Sequence, residues 1–413
     1  MAEIALDAGI SVVGSDAKKS LQTDELEKRG VQISYQQTRR AIAMVHAKTP
    51  IDWFVYTSAL PDDAPELEFA RENRIRVSKR DDFLAELIRK KNQKLIAVAG
   101  AHGKTTTTAM LIWAFQQLGL PVSYSVGTTL PFGASGSFDS ESEFFIYEAD
   151  EYDRNFLKFW PECSLVVSLD YDHADTYPTQ ANYNSAFRQF INQSRHTVMW
   201  RKSAEQLNLP EKINLTTLDG VISRREIDLP GEKMRANAYL AMKTLQLLIP
   251  DVKEAEIQKI LAEFPGTSRR FEKLAENLYT DYAHHPAEIS ATIEKALELS
   301  PKVAAVYQPH QNLRQHEISK KGGYGESFDG SSKIFWIPTY LVRSDLIKNA
   351  ARVLAPKDLI SRLSADSQPN AIAAELNDKL WDEILNLRHD GYLVIIMGAG
   401  PIDGWARQKL SKA

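Results

Sequence analysis

A lysine placed directly after a glycine-bracketed turn and before four threonines is a chemical proposition. In Gly100-Ala101-His102-Gly103-Lys104-Thr105-Thr106 the spacing is G-x-x-G-K-T. A phosphate cradle needs main-chain N–H groups pointing inward, hence glycine, and a helix N-terminus whose partial positive charge faces the anion. It also needs a lysine for the terminal phosphates and a hydroxyl for a divalent cation. Here a strand, "KLIAVA", enters the turn, and a helix leaves it with Met110, Leu111, Ala114, Phe115 and Leu118 on one face. The longer G-x-x-x-x-G-K-[ST] pattern is not met, because Val98 stands where its first glycine belongs. A plain strand–turn–helix junction with Lys104 in solvent is the other reading. "KTTTT" argues against it, since threonine starts an ordinary helix poorly. The stretch is therefore expected to hold ATP.

Oxygen ligands for magnesium are expected at the strand ends that follow. "FFIYEADEYD" sets Glu148, Asp150, Glu151 and Asp153 at and beyond one apolar strand; "SLVVSLDYDHAD" sets Asp170, Asp172, His173 and Asp175 beyond another. Either cluster taken singly also reads as solvated acid. Further on, "TDYAHHPAEI" pairs His284 and His285 before Pro286, which suits a first helical turn. "VYQPHQNLRQHEI" spaces His310 and Arg314 four apart. These groups suit a small anion such as an amino-acid carboxylate, and each histidine alone also suits a hydrogen-bonded structural role. Arg269 and Arg270 in "SRRFEK" also read as a surface pair.

Elements that position these groups are legible as strand–helix alternation. "SVVGSD", "WFVYTSAL", "KLIAVAG", "FFIYEAD", "CSLVVSLD", "LYTDYA", "KVAAVYQ", "KIFWIPTY" and "YLVIIMGAG" read as strands, with helical patterns between them such as 82–91, 106–118 and 286–299. That alternation argues for parallel sheets with ligand sites at the carboxyl ends of strands. A chain of 413 residues predicts two to four domains at roughly 100–200 residues each. Boundaries are expected in "RKKNQK" and "EFPGTSRR", giving 1–93, 94–264 and 265–413. "GGYGESFDGSS" reads as a mobile surface loop.

A net charge of −4 gives no reason to expect a nucleic-acid or anionic-membrane partner. The single cysteine, Cys163, rules out a disulfide within the chain and fits a reducing compartment. No apolar run reaches the ~18 residues of a spanning helix, and "MAEIALDAGI" lacks the basic start of a signal peptide. A cytoplasmic enzyme without a membrane anchor is expected.

Taken together in order, the motifs resemble the Mur ligase family, in its branch that handles UDP-N-acetylmuramate. "GAHGKTTTT", "EADEYDRNFL", "DHADTY", "RRFE", "DYAHHPAEI" and "QPHQNLR" carry the resemblance, with weaker echoes in "GSD", "YTSALPDDAPELEFAREN" and "MGAG". It covers essentially the whole chain. It implies an α/β fold of three domains: a Rossmann-like N-terminal domain for the UDP-sugar, here without its first strand, a central P-loop ATPase-type domain, and a Rossmann-like C-terminal domain for the amino acid. The implied reaction joins L-alanine to the lactyl carboxylate of UDP-N-acetylmuramate through an acyl phosphate, with ATP and Mg2+, in peptidoglycan biosynthesis, by a monomer or homodimer.

Residue by residue, the resemblance implies that Gly100, Ala101, His102, Gly103, Lys104, Thr105 and Thr106 meet ATP, with Lys104 on the terminal phosphates and His102 between nucleotide and substrate carboxylate. Thr105, Glu148 and His173 serve the magnesium ions; Asn237, Arg270 and Asp281 serve the nucleotide. His284, His285, His310 and Arg314 orient the amino acid, and Ser15, Asp16 and Ser58 the sugar nucleotide. Phe187 stands where other branches carry a carbamylated lysine.

The pattern also departs from the family. Its opening G-x-G-x-G-M loop has no counterpart, so a start at an internal methionine is expected. Lys233-Met234 replace H-N, Gln311 replaces an arginine, and Ser168 and Asp170 replace asparagine and glutamate. Two other functions fit the motifs: a recycling ligase that attaches a murein tripeptide to the same sugar, and a P-loop ATPase without ligation.

Overall fold

The computed structural model describes residues 1–57, 60–171, 176–210, 214–342, 345 and 352–411. The chain divides into two compact units, 1–220 with 240–260, and 221–239 with 261–413. The helix Glu232–Leu248 contributes to both.

The first unit is built on a seven-stranded sheet in the spatial order Leu215–Leu218, His196–Trp200, Cys163–Val166, Lys94–Ala99, Phe144–Glu148, Ser123–Ser125, Gly136–Ser137. All neighbours are parallel except the last pair. Leu95–Ala99 and Phe144–Tyr147 are buried throughout, so these strands read as continuous apolar runs, as parallel strands covered on both faces must. Register then fixes the site. Val98 pairs with Glu148, and Ala99 with Val166, so the turns after all three strands leave one edge.

The N-terminal part of this unit carries two separate parallel pairs, Val13–Ser15 with Gln32–Ser34 and Trp53–Tyr56 with Arg76–Lys79. A small core of Ile42, Phe69, Ala70 and Ile75 lies among its helices. Its first helix, Ala2–Asp7, reaches the large sheet: Ile4 is fully buried, and a side chain at Gly136 would meet Ile4 Cδ1 at 2.8 Å. Asp7 accepts the Phe138 N–H at 3.2 Å.

In the second unit six strands follow the order Glu272–Ala275, Leu278–Asp281, Leu393–Met397, Val303–Tyr307, Lys333–Trp336, Ala371–Ala373, parallel after an antiparallel first pair. Met397 pairs with both Asp281 and Tyr307, which brings the turns after those strands to one edge. The Gly/Ser-rich segment 322–332 departs from the surface-loop expectation. Its Tyr324 and Phe328 are 2% and 0% exposed and pack with Tyr307 and Trp336. Two aromatic anchors outweigh the glycines around them. No helix among the described residues is long and apolar enough to cross a membrane.

Candidate nucleotide and amine sites

The strand Lys94–Ala99 ends in a turn that only glycine can make. Gly100 sits at φ +133°, and a Cβ there would lie 2.7 Å from Ser168 O and 2.8 Å from Ser168 N. Gly103, at φ 90°, caps the helix Lys104–Gln117 in the left-handed region. Between them the His102 N–H donates to Ser168 Oγ at 2.9 Å, and that hydroxyl lies 3.3 Å from His102 O. Ser168 thus clamps the turn. Its role was invisible in sequence, where it stood out only as a departure from asparagine.

Lys104 turns inward. Its Nζ donates to Gly100 O and to both carboxylate oxygens of Glu151, at 2.9 and 2.8 Å. The Glu151 side chain is 0% exposed and that of Lys104 15%. Thr105 Oγ1 donates to Glu148 Oε1 at 2.6 Å, and Glu148 Oε2 accepts the Gly127 N–H at 2.6 Å. At the start of the helix Thr106, Thr107 and Thr108 are all buried.

Of the first acid cluster, then, Glu148 meets Thr105 and Glu151 meets Lys104, while the others turn elsewhere. Asp150 accepts the Tyr152 N–H at 3.0 Å, and Asp153 pairs with Lys79. Tyr177 donates to Glu151 O at 2.6 Å and helps fix that residue. From the second cluster Asp170 is exposed. Asp172, His173 and Asp175 lie outside the described residues, as does Ser58. Among the described residues no group of three or more His, Cys, Asp and Glu side chains is gathered as for a metal ion. Glu148 with Thr105 nonetheless supplies what a hard cation uses, a carboxylate and a hydroxyl at the mouth of the turn.

On the small strand pair near the chain start, Ser15 donates to Glu66 at 2.9 Å, and burial raises the pKa of that carboxyl. Asp16 is exposed and accepts the Lys18 N–H at 3.0 Å.

The second unit gathers the histidines. Asp281, at its strand end, accepts the N–H groups of Phe271 and Ala283, each at 2.7 Å; burial raises its pKa against the pull of Arg270. The Arg270 guanidinium lies 5.3 Å from the centre of the Tyr282 ring. His284 and His285 are held from one side by Glu288, which accepts both of their N–H groups at 3.1 and 3.3 Å. Glu288 was a missed residue, and its place three after His285 is the signal of a capping box.

His284 Nδ1 lies 3.3 Å from that carboxylate, yet burial lowers the ring's pKa from its ordinary value. His310 stacks on Tyr340 with 5.8 Å between ring centres, and burial, with Arg314 adding, lowers its pKa as well. Arg314 makes no ion pair among the described residues, and its charge acts on both His284 and His310. The structure therefore brings His284, His310 and Arg314 into one electrostatic neighbourhood. Asn237 is half-buried on the helix Glu232–Leu248, two residues from Arg235, whose buried guanidinium holds Ile222 O, Leu229 O and Glu298.

The model of "Mur ligase family, catalytic domain" matches residues 1–92, and that of "Mur ligase middle domain" matches 98–223. A UDP-N-acetylmuramate–L-alanine ligase of Streptomyces coelicolor is 30% identical, over 97% of this chain and 92% of its own length. That of Caldanaerobacter subterraneus is 29% identical over the same shares. Among solved structures, the UDP-N-acetylmuramate-alanine ligase of Thermotoga maritima superposes with a TM-score of 0.75 at 21% identity, over 99% of this chain and 94% of its own. A murein peptide ligase of Psychrobacter arcticus gives 0.64 at 20% identity, over 99% and 95%.

Proposed function

The chain belongs to the Mur ligase family, and from that premise we propose that it joins L-alanine to the lactyl carboxylate of UDP-N-acetylmuramate at the expense of ATP, in peptidoglycan synthesis. The observation that carries the reading is the convergence of the Gly100 turn, Lys104, Thr105 and Glu148 at one sheet edge.

A carboxylate is a poor electrophile. Phosphorylation gives it a leaving group; the amine nitrogen then attacks the acyl carbon and inorganic phosphate departs. The protein's part is to align the reactants and neutralise charge on the transferring phosphoryl group. In this reading the turn of Gly100, Ala101, His102 and Gly103, with Lys104, Thr105 and Thr106, meets the phosphates of ATP. Lys104 leaves its Glu151 partner in part to do so, and Glu151 keeps the ammonium aimed into the turn. Glu148 and Thr105, with His173, would hold Mg2+, which when bound offsets phosphate charge. His102 faces the substrate carboxylate.

Asn237, Arg270 and Asp281 serve the nucleotide. His284, His285, His310 and Arg314 receive the amino acid, with its carboxylate on Arg314. Ser15, Asp16 and Ser58 meet the sugar nucleotide. The division into 1–93, 94–264 and 265–413, a cytoplasmic location and a monomeric or homodimeric state complete the reading.

Phosphate release measured with ATP, Mg2+ and UDP-N-acetylmuramate tests it. Release that requires L-alanine supports it. Release only with a murein tripeptide moves the assignment to the recycling ligase, and release independent of any amine moves it to an ATPase.

A further inference from the structure

Two buried phenols join the His284 turn to the His310 turn. Gln315 Nε2 donates to His310 O at 3.0 Å, while Gln315 Oε1 accepts the Tyr324 hydroxyl at 2.5 Å. Tyr324 Oη lies 2.9 Å from Tyr307 Oη, and Tyr307 Oη lies 3.3 Å from His284 O. Gln315 and Tyr307 are 0% exposed and Tyr324 2%, which keeps water from competing.

Each phenol carries one proton, and burial raises both pKa values, so neither ionises. The short contact to Gln315 takes the proton of Tyr324. Tyr307 then has a single proton for two acceptors, Tyr324 Oη and His284 O, in a three-centre arrangement. Gln315 also sits beside Arg314 on the helix Asn312–Lys320, so its amide pins the element that carries the guanidinium.

We infer that Tyr307, Tyr324 and Gln315 are positioning residues that set the gap between the His284 and His310 turns, and thereby decide which amine substrate fits against Arg314. This rests on the assignment of those groups to the amino acid. The proton count makes the two hydroxyls unequal. Tyr307→Phe removes the donor to His284 O and leaves Tyr324 bonded to Gln315. Tyr324→Phe gives the Tyr307 proton wholly to His284 O and leaves Gln315 Oε1 without a donor.

The test compares the parent with Tyr307→Phe and Tyr324→Phe by amide hydrogen exchange and by steady-state phosphate release at varied L-alanine and varied ATP. Tyr307→Phe is expected to speed exchange at residues 282–285 alone, and Tyr324→Phe at 310–315 alone. Each should raise the L-alanine KM by about five- to tenfold, the worth of one hydrogen bond, with the ATP KM held within about twofold. An unchanged L-alanine KM overturns the inference. So does an equal rise in both KM values, or faster exchange at both turns in both variants, since these mark a general packing role. A parent chain without L-alanine-dependent release fails at the ligase reading, before any variant is made, and the inference falls with it.

Discussion

Lys104 and Glu151 form a buried ion pair directly beneath the glycine turn, with both carboxylate oxygens within 2.9 Å of the ammonium. Breaking such a pair from one side strands a charge, at about 3–5 kcal/mol, whereas replacing both partners is often neutral. Lys104→Met and Glu151→Gln are each expected to lower the thermal midpoint, and the double variant to regain most of the loss. Turnover should be absent in Lys104→Met and in the double variant alike. Differential scanning calorimetry with a phosphate-release assay checks this. A stable single Lys104→Met variant would show that the pair contributes nothing.

Gly100→Ala is expected to lose turnover and at least about 2 kcal/mol of stability, because its Cβ would sit 2.7 Å from Ser168 O at a backbone angle that side chains avoid. Ser168→Ala should cost less, about 1–2 kcal/mol, by releasing the His102 N–H. Urea denaturation of the two variants gives the order; a Ser168→Ala variant as stable as the parent would refute the clamp.

Glu148 is bonded to Thr105 on one oxygen and to the Gly127 amide on the other. Glu148→Gln keeps the shape and removes the charge. The expected result is at least about a hundredfold lower ATP turnover, partly recovered at high Mg2+, with all turnover abolished by chelator. A Mg2+ titration of both proteins decides it, and a parent-like titration curve would remove Glu148 from the cation site.

Burial lowers the His284 pKa below its ordinary value of 6.5 despite the facing carboxylate of Glu288, with Arg314 and Arg270 adding to the depression. Between the lowered folded value and 6.5 the unfolded chain binds the proton more readily, so stability rises with pH there. His284 contributes stability that is fully present above 6.5 and lost as pH falls through the folded value. The thermal midpoint should therefore drop on acidification below pH 6.5, with a shallower slope in His284→Gln. Equal slopes would show that the ring titrates alike in both states.

How much of this was legible in the chain depends on whether the chemistry is local. The turn from Gly100 to Thr105 was readable because its glycines, lysine and helix are contiguous, and the alternating strands gave an α/β fold. Glu148 was readable as a strand-end acid beside such a turn. Glu151, three residues later, lies in the same acid cluster, and only the path of the chain after Ala149 shows which carboxylate turns inward. Ser168 and Tyr307 could not be found this way. Their partners lie 66 and 17 residues away, and spacing along a sequence carries no signal across such separations. The segment 322–332 misled for a related reason: its composition is that of a loop, while its packing is decided by Tyr324 and Phe328.

The seating of Ile4 against Gly136 bears on how this protein can be divided. A fragment that starts near residue 94 would carry every group of the Gly100–Thr105 turn, yet it would bare the patch that the helix Ala2–Asp7 covers and leave the Phe138 amide without its acceptor. Trimming at the apparent boundary would therefore yield a sticky, incompletely closed sheet, and the early residues belong with the seven-stranded sheet in any dissection by proteolysis or gene cutting.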